Sequence, residues 1–132
     1  MNITVDTNIL VRAITEDHAK QSRDAQKTLE AATLVAVTLP TLCELVWVLA
    51  KGYGLGRREI GAAVRRLIAS ANVAVNRPAA EAGLAILDAG GDFDDGVIAF
   101  EGAQLGGEVF VSFDKNAVRF LRARGESARL AN

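Results

Sequence analysis

The sequence predicts a three-layer α/β/α fold with a mainly parallel sheet of roughly five strands. Short, apolar, β-rich stretches alternate along the 132 residues with longer segments whose apolar residues recur at helical spacing. Such alternation is typical of parallel sheets, because a connection between parallel strands usually contains a helix that covers one face. The length fits one domain, residues 1–132.

Composition indicates an ordinary globular protein without a strong charge bias. Half the residues are apolar, 23% are charged and the net charge is −1, so no basic tail points to a nucleic-acid partner, although surface charge can still be segregated. The single cysteine, Cys43, excludes an internal disulfide. We find no signal peptide and no apolar run of membrane-spanning length, and therefore expect a cytoplasmic protein with no membrane partner.

The first predicted strand contains Ile3 and Val5 and stops at Asp6, and a helix follows from Asn8. Ligands of open α/β sheets bind outside the carboxyl ends of the strands. Asp6 is therefore a candidate site residue, with Thr7 and Asn8 as polar companions. The alternative is that Asp6 or Asn8 only caps the helix.

The remaining elements continue the alternation. Strands are predicted at residues 34–37, 73–75 and 108–113, and helices near 19–32, 39–51, 57–71, 79–89, 97–105 and 116–124. The tail, 126–132, either adds an edge strand or frays.

The predicted helix at 39–51 is apolar nearly all round, which is typical of a buried helix or a subunit interface. Glu44 is the one acid in this stretch. Burial of a lone carboxylate costs free energy unless it is paired or holds a cation. Glu44 is therefore a second candidate, with the alternative that it points to water. Cys43 is interpreted as a small core residue.

A third cluster of acids contains Asp92, Asp94 and Asp95, directly before another predicted helix. Helix capping explains one carboxylate, but three at this spacing repel one another. A bound cation would remove the repulsion. The last clear strand, which contains Ser112, also ends at an acid, Asp114.

These acids share one predicted location. Strand ends and the starts of the following helices lie on the same rim of a parallel sheet, so we expect four carboxylates to converge: Asp6, Glu44, Asp95 and Asp114. Oxygen ligands without His or Cys favour Mg²⁺ or Mn²⁺. Such a metal orients a phosphodiester and activates water, which predicts metal-dependent phosphoryl transfer or hydrolysis.

Basic residues off the apolar face of the helix at 57–71 include Arg57 and Arg58. They form either a phosphate-binding rim or an ordinary solvated face. The only histidine, His18, is interpreted as a surface residue.

Four motifs in order resemble the PIN domain, and more closely the VapC toxins of bacterial type II toxin-antitoxin pairs. The resemblance covers nearly the whole chain. The motifs are Val5-Asp6-Thr7-Asn8, Glu44 in an apolar helix, Asp92-Phe93-Asp94-Asp95 with Ile98-Ala99, and Ser112-Phe113-Asp114-Lys115-Asn116-Ala117.

This resemblance implies an endoribonuclease that requires Mg²⁺ or Mn²⁺, is silenced by a cognate antitoxin and is commonly a homodimer. It implies that the catalytic and metal-binding acids are Asp6, Glu44, Asp95 and Asp114. It also implies supporting roles for Asn8 and Ser112. We further expect Thr7 and Asp92 to support the site, and Arg57, Arg58 and Lys115 to contact the RNA.

The chain departs from the family pattern at two positions. Asp94 stands where the family often has a small residue, so Asp94 and Asp95 compete to face the metal, and we favour Asp95. Gly96 replaces a more usual alanine and is expected to loosen the start of that helix. Asp92 is expected to cap the helix or to lie outside the direct ligands.

Other functions fit less well. A phospho-receiver module needs an acceptor Asp after the third strand, where Asn76 stands, and a haloacid-dehalogenase-like phosphatase needs an Asp in place of Asn8. The remaining alternative is a binding module that forms a DNA-binding complex with its antitoxin and has little nuclease activity.

Overall fold

Five strands and seven α-helices alternate along the chain in the computed structural model, which describes residues 1–132. The predicted α/β class with parallel strands is confirmed. The chain divides into two compact units, Met1–Asn76 and Arg77–Asn132. The assignment of residues 1–132 to a single domain stays a prediction. None of the helices combines the length and the apolar character that spanning a membrane requires.

The first unit is built on three strands that pair in parallel in the order β1-β2-β3. Ile3 lies opposite Val35, and Val35 lies opposite Val73. Because β2 has a neighbour on each side, Val35 is fully buried. The elements of this unit are β1 (Asn2–Thr4), α1 (Thr7–Thr15), α2 (Ala19–Ala31), β2 (Leu34–Ala36), α3 (Leu39–Trp47), a π-helical turn (Val48–Gly52), α4 (Arg57–Ala69) and β3 (Val73–Ala74).

Helix α3 begins where the sequence predicts but does not continue as an α-helix to residue 51. Thr38 caps it, because its hydroxyl accepts a hydrogen bond from the Thr41 N–H at 3.4 Å. Leu42 and Leu45 are fully buried. After Trp47 the chain forms the π-helical turn. The pattern of apolar residues does not distinguish the two helix types, since both bury a similar stripe.

The second unit combines a two-stranded parallel sheet with three helices. Its elements are α5 (Arg77–Ala89), α6 (Phe93–Gln104), β4 (Phe110–Ser112), α7 (Lys115–Ala123) and β5 (Ala128–Leu130). Ser112 lies opposite Leu130, so the C-terminal tail forms a strand and does not fray. The core cluster that joins α5, α7 and β5 contains Ile86, Val118, Leu121 and Ala128.

Helices α5 and α6 pack closely because each has a glycine at the contact. A Cβ on Gly83 would lie 2.7 Å from the Phe93 ring, and a Cβ on Gly96 would lie 2.4 Å from the Ala82 carbonyl oxygen. Both glycines are buried. Gly96 is thus required for the packing of α6 on α5, which corrects the expectation that it loosens the helix start.

We expect Gly96→Ala to lower the free energy of unfolding by about 1–3 kcal/mol, because overpacking against a backbone carbonyl is not relieved by side-chain motion. Gly102→Ala in the same helix is the matched control, since an added Cβ there meets no atom within 4 Å. It should raise stability by about 0.5–1 kcal/mol through helix propensity. Urea unfolding followed by circular dichroism measures both. Equal stability of the two variants would contradict the close contact.

Candidate active site

Asp6 follows the end of β1 and caps α1. Its Oδ1 accepts a hydrogen bond from the Ile9 N–H at 3.3 Å, so Asp6 does cap the helix; whether it also belongs to a site stays a prediction. The carboxylate is exposed and its second oxygen has no hydrogen-bond partner, which leaves Asp6 able to bind a ligand as well. Of its predicted companions, Thr7 is buried and Asn8 is exposed.

Glu44 lies on α3 with its side chain exposed. The alternative that it points to water is therefore correct, and no free-energy cost of burial argues for a bound cation. Its candidacy as a site residue rests on its place in the helix that follows β2 and on the family resemblance. The neighbouring Cys43 is half-buried.

The acidic segment at the start of α6 brings three carboxylates together. Asp92, Asp94 and Asp95 each offer an oxygen, and these oxygens all lie within 4.8 Å of one another. Asp92 occupies the position before the helix, but its side chain makes no capping hydrogen bond. Capping therefore does not account for any of the three carboxylates.

Asp95 differs from its two neighbours in burial. It is half-buried, whereas Asp92 and Asp94 are exposed. Burial, together with the charges of Asp94, Asp92 and Asp114, raises the pKa of Asp95 to about 6. Burial and the influence of Asp114 both favour Asp95 over Asp94 as the acid directed towards a cation.

Asp114 joins β4 to α7 and is held in a defined orientation. Its Oδ1 accepts hydrogen bonds from the N–H groups of Asn116 at 2.9 Å and Ala117 at 3.2 Å. Its own N–H donates to the Ser112 hydroxyl at 2.9 Å. Ser112 therefore positions Asp114 through the backbone, which is one way in which it could support the site.

The residues of the second unit fit a divalent cation. The donors are carboxylate oxygens alone, which suits Mg²⁺ or Mn²⁺, and a cation would relieve the mutual repulsion that raises the pKa of Asp95. Asp6 and Glu44 belong to the first unit. That they meet Asp95 and Asp114 stays a prediction.

Three basic residues were predicted to contact RNA, and all three lie at the start of a helix. The histidine also lies at a helix start. Arg57 and Arg58 begin α4 and Lys115 begins α7, and all three are exposed. Their exposure fits a role in binding the RNA backbone, which stays a prediction. His18 is an exposed surface residue, as expected, and its Nδ1 caps α2 by accepting from the Gln21 N–H at 3.1 Å.

A cavity of about 500 Å³ beside Asp6 was not anticipated from the sequence. It lies between α1 and α2, and its polar lining includes Asn8, Arg12, Gln21 and Asp24. Helical spacing places Asn8 and Arg12 on one face of α1, and Gln21 and Asp24 on one face of α2. This spacing is the feature of the sequence from which the cavity could have been suspected. The sequence does not show, however, that the two helix faces meet.

Hydrogen bonds hold Arg12 in a fixed position at this cavity. Its Nε donates to Gln21 Oε1 at 2.7 Å, and one Nη donates to Asp17 Oδ1 at 3.1 Å. The other oxygen of Asp17 accepts from the Tyr53 hydroxyl at 2.7 Å. Hydrogen bonds from Tyr53 and Thr15 lower the pKa of Asp17, which keeps this partner of Arg12 ionised.

We expect the Asp95 carboxyl to titrate with a pKa of about 6 in the metal-free protein. Because this value lies above the ordinary 3.8, the folded state holds the proton more tightly than the unfolded chain. The free energy of unfolding should therefore fall as the pH rises from 3.8 through 6, and Asp95→Asn should remove that fall. Carboxyl ¹³C NMR measures the pKa, and added Mg²⁺ should lower it. A pKa near 3.8 without metal would contradict the crowding of the acids.

Comparison with protein-family models matches residues 3–124 to the PIN domain. Proteins with this domain are typically nucleases that depend on a divalent metal. No curated protein and no solved structure matched the chain. Because the family match spans nearly the whole chain and includes Asp6, Glu44, Asp95 and Asp114, the chain belongs to the PIN domain family.

Proposed function

We propose that this protein is a metal-dependent endoribonuclease and the toxin of a type II toxin-antitoxin pair. The observation that carries the proposal is the acidic segment at the start of α6, with its carboxylate oxygens within 4.8 Å of one another, in a chain of a typically nucleolytic family. Its substrate is RNA, and its partner in the cell is a cognate antitoxin that keeps it inactive.

In the proposed site, Asp6, Asp95 and Asp114 hold Mg²⁺ or Mn²⁺. When bound, the cation supplies positive charge that neutralises the carboxylates and stabilises the phosphate during hydrolysis. Glu44 is a further ligand or orients the attacking water, and its exposure leaves it accessible to that water. Asp92 lies outside the direct ligands.

The remaining residues of the proposed site orient groups or bind the substrate. Ser112 fixes the backbone N–H of Asp114, and thereby the direction of its carboxylate. Thr7 and Asn8 support Asp6 from the first turn of α1. Three exposed basic residues bind the RNA backbone and offset the repulsion between phosphate and the acids: Arg57, Arg58 and Lys115.

A binding module with little nuclease activity is the second candidate. The crowding of charge within the acidic segment argues for the enzyme, because three neighbouring carboxylates repel one another without a cation and Asp92 makes no capping hydrogen bond. A protein that only bound an antitoxin would gain nothing from this arrangement.

Homodimerisation is part of the proposal. Trp47 at the end of α3 is 63% exposed although α3 is otherwise strongly apolar. Aromatic side chains such as tryptophan are enriched at protein interfaces. We propose that this end of α3 packs against a second copy of the chain.

We expect Asp95→Asn, Asp6→Asn and Glu44→Gln each to reduce metal-dependent RNA cleavage by about 100-fold or more, the scale of losing one electrostatic group of a catalytic site. Purified antitoxin-free protein should cut total cellular RNA into discrete fragments with Mg²⁺ or Mn²⁺ but not with EDTA. Glu101→Gln, an exposed acid of α6 outside the cluster, is the matched control and should keep full activity.

Full metal-dependent activity in both Asp6→Asn and Glu44→Gln would show that the site is wrongly assigned. Cleavage that persists in EDTA would point to another mechanism or to a contaminant. The toxin role has its own test, since induced expression should arrest growth and the Asp95→Asn variant should not.

We expect Trp47→Glu to convert the protein from a dimer to a monomer, because a charge in the centre of an apolar contact is left unpaired. Light scattering measures the mass, and Leu34→Glu at another exposed apolar position should leave the dimer intact. A wild-type protein that is monomeric at high concentration would exclude the proposed dimer.

A further inference from the structure

The cavity between α1 and α2 presents a fixed set of hydrogen-bonding groups beside Asp6. Its volume of about 500 Å³ falls within the range of small-molecule sites. The apolar part of its lining is Ile9, which is half-buried, and Ala25, which is buried. An apolar floor with a polar rim is the usual arrangement for a flat ring that is held in place by hydrogen bonds.

Two donors of this cavity, Arg12 and Gln21, are oriented by the protein. Gln21 accepts from Arg12 through its amide oxygen, so its NH₂ group is left to donate to a ligand. The second Nη of Arg12 and the side-chain amide of Asn8 have no partner within the protein. Asp17 and Tyr53 already hold the guanidinium in place. Binding of a ligand therefore costs little further conformational entropy at this side chain.

The acceptor of the cavity is Asp24. One of its oxygens is paired with Lys20 at 2.9 Å, and this pair lowers the pKa of the carboxyl, so Asp24 is ionised and accepts only. Its other oxygen has no partner. The cavity therefore combines groups that only donate, from Arg12 and Gln21, with a group that only accepts.

The charges favour a neutral base over a phosphate as the ligand. Three charged side chains line the cavity: Arg12 is paired with Asp17 and Asp24 with Lys20, whereas Asp6 has no cationic partner. The unbalanced charge of the lining is therefore the Asp6 carboxylate, which would repel a phosphate in this space. A nucleobase carries no charge, and its polar edge supplies both donors and acceptors.

We infer that this cavity is a subsite for a base of the RNA that carries a ring N–H next to a carbonyl, which is the edge shared by guanine and uracil. The carbonyl accepts from Arg12 or Gln21, and the ring N–H donates to Asp24. In the same orientation, adenine and cytosine turn an amino group towards the donors and an unprotonated ring nitrogen towards Asp24, so both contacts are mismatched. The inference rests on the proposed function, because it is Asp6 that places this base next to the scissile phosphate.

Mononucleotide binding tests the subsite without any cleavage. GMP, UMP, AMP and CMP are titrated into the metal-free protein and followed by NMR of the side-chain amides of Asn8 and Gln21 and of the Arg12 Nε–H. We expect GMP or UMP to shift these signals and to bind about 10-fold more tightly than AMP and CMP, the scale of one good pair of hydrogen bonds to a base. The four mononucleotides distinguish guanine from uracil.

Two variants separate base recognition from stability. Asp24→Asn replaces a group that only accepts hydrogen bonds by one that also donates them. It should abolish the preference for GMP or UMP over AMP and CMP. Lys20→Met removes the same ion pair but keeps the Asp24 carboxylate, and should leave the preference intact. Mapping of the cut sites in an RNA library should show guanine or uracil enriched at one position beside the cut in the wild-type protein and in Lys20→Met, but not in Asp24→Asn.

The subsite is wrong if no mononucleotide shifts these signals, if all four bind equally, or if Asp24→Asn keeps the preference of the wild-type protein. Selective mononucleotide binding without any RNA cleavage would support the subsite and count against the proposed nuclease. RNA cleavage with the same cut sites in wild type and Asp24→Asn would support the nuclease and exclude the subsite.

Discussion

The close approach of α5 and α6 at Gly83 and Gly96 controls where the acidic segment lies. Because neither glycine has room for a Cβ, the two backbones meet directly and the first turn of α6 is fixed. Asp94 and Asp95 belong to that turn, and Asp92 directly precedes it. In a flexible loop these charges would spread apart, but on a fixed turn their carboxylates stay together despite their repulsion.

The electrostatic consequence is a site that favours a cation. Desolvation and neighbouring charges raise the pKa of Asp95, so its ionised form is less stable than that of an ordinary carboxyl and a bound cation would stabilise it. Capping does not conflict with this role. Asp6 and Asp114 each use one oxygen to cap a helix and keep the other oxygen unpaired. Capping therefore orients these two carboxylates at strand ends at little cost to their capacity as ligands.

In the first unit, too, side chains are held in position by hydrogen bonds within the protein before any ligand binds. Arg12 is held by Gln21, Asp17 and Tyr53, which come from three separate segments of the chain. The bonds leave unpaired donors next to an apolar floor. In the proposed enzyme the acids perform the chemistry, and the role inferred for this cavity is to bind a base of the RNA.

The sequence by itself determined the order of the first four strands and of the α-helices, because the period of the apolar residues is a local property of each segment. It also determined that Asp6 and Asp114 stand at strand-to-helix junctions. Only the tertiary structure decided properties that depend on contacts between distant residues: the exposure of Glu44, the half-burial of Asp95, the packing role of Gly96, the pairing of the C-terminal tail with β4, and the cavity that Arg12 and Gln21 share. A local pattern shows which face of a helix is apolar, but it does not show which other element of the protein packs against that face.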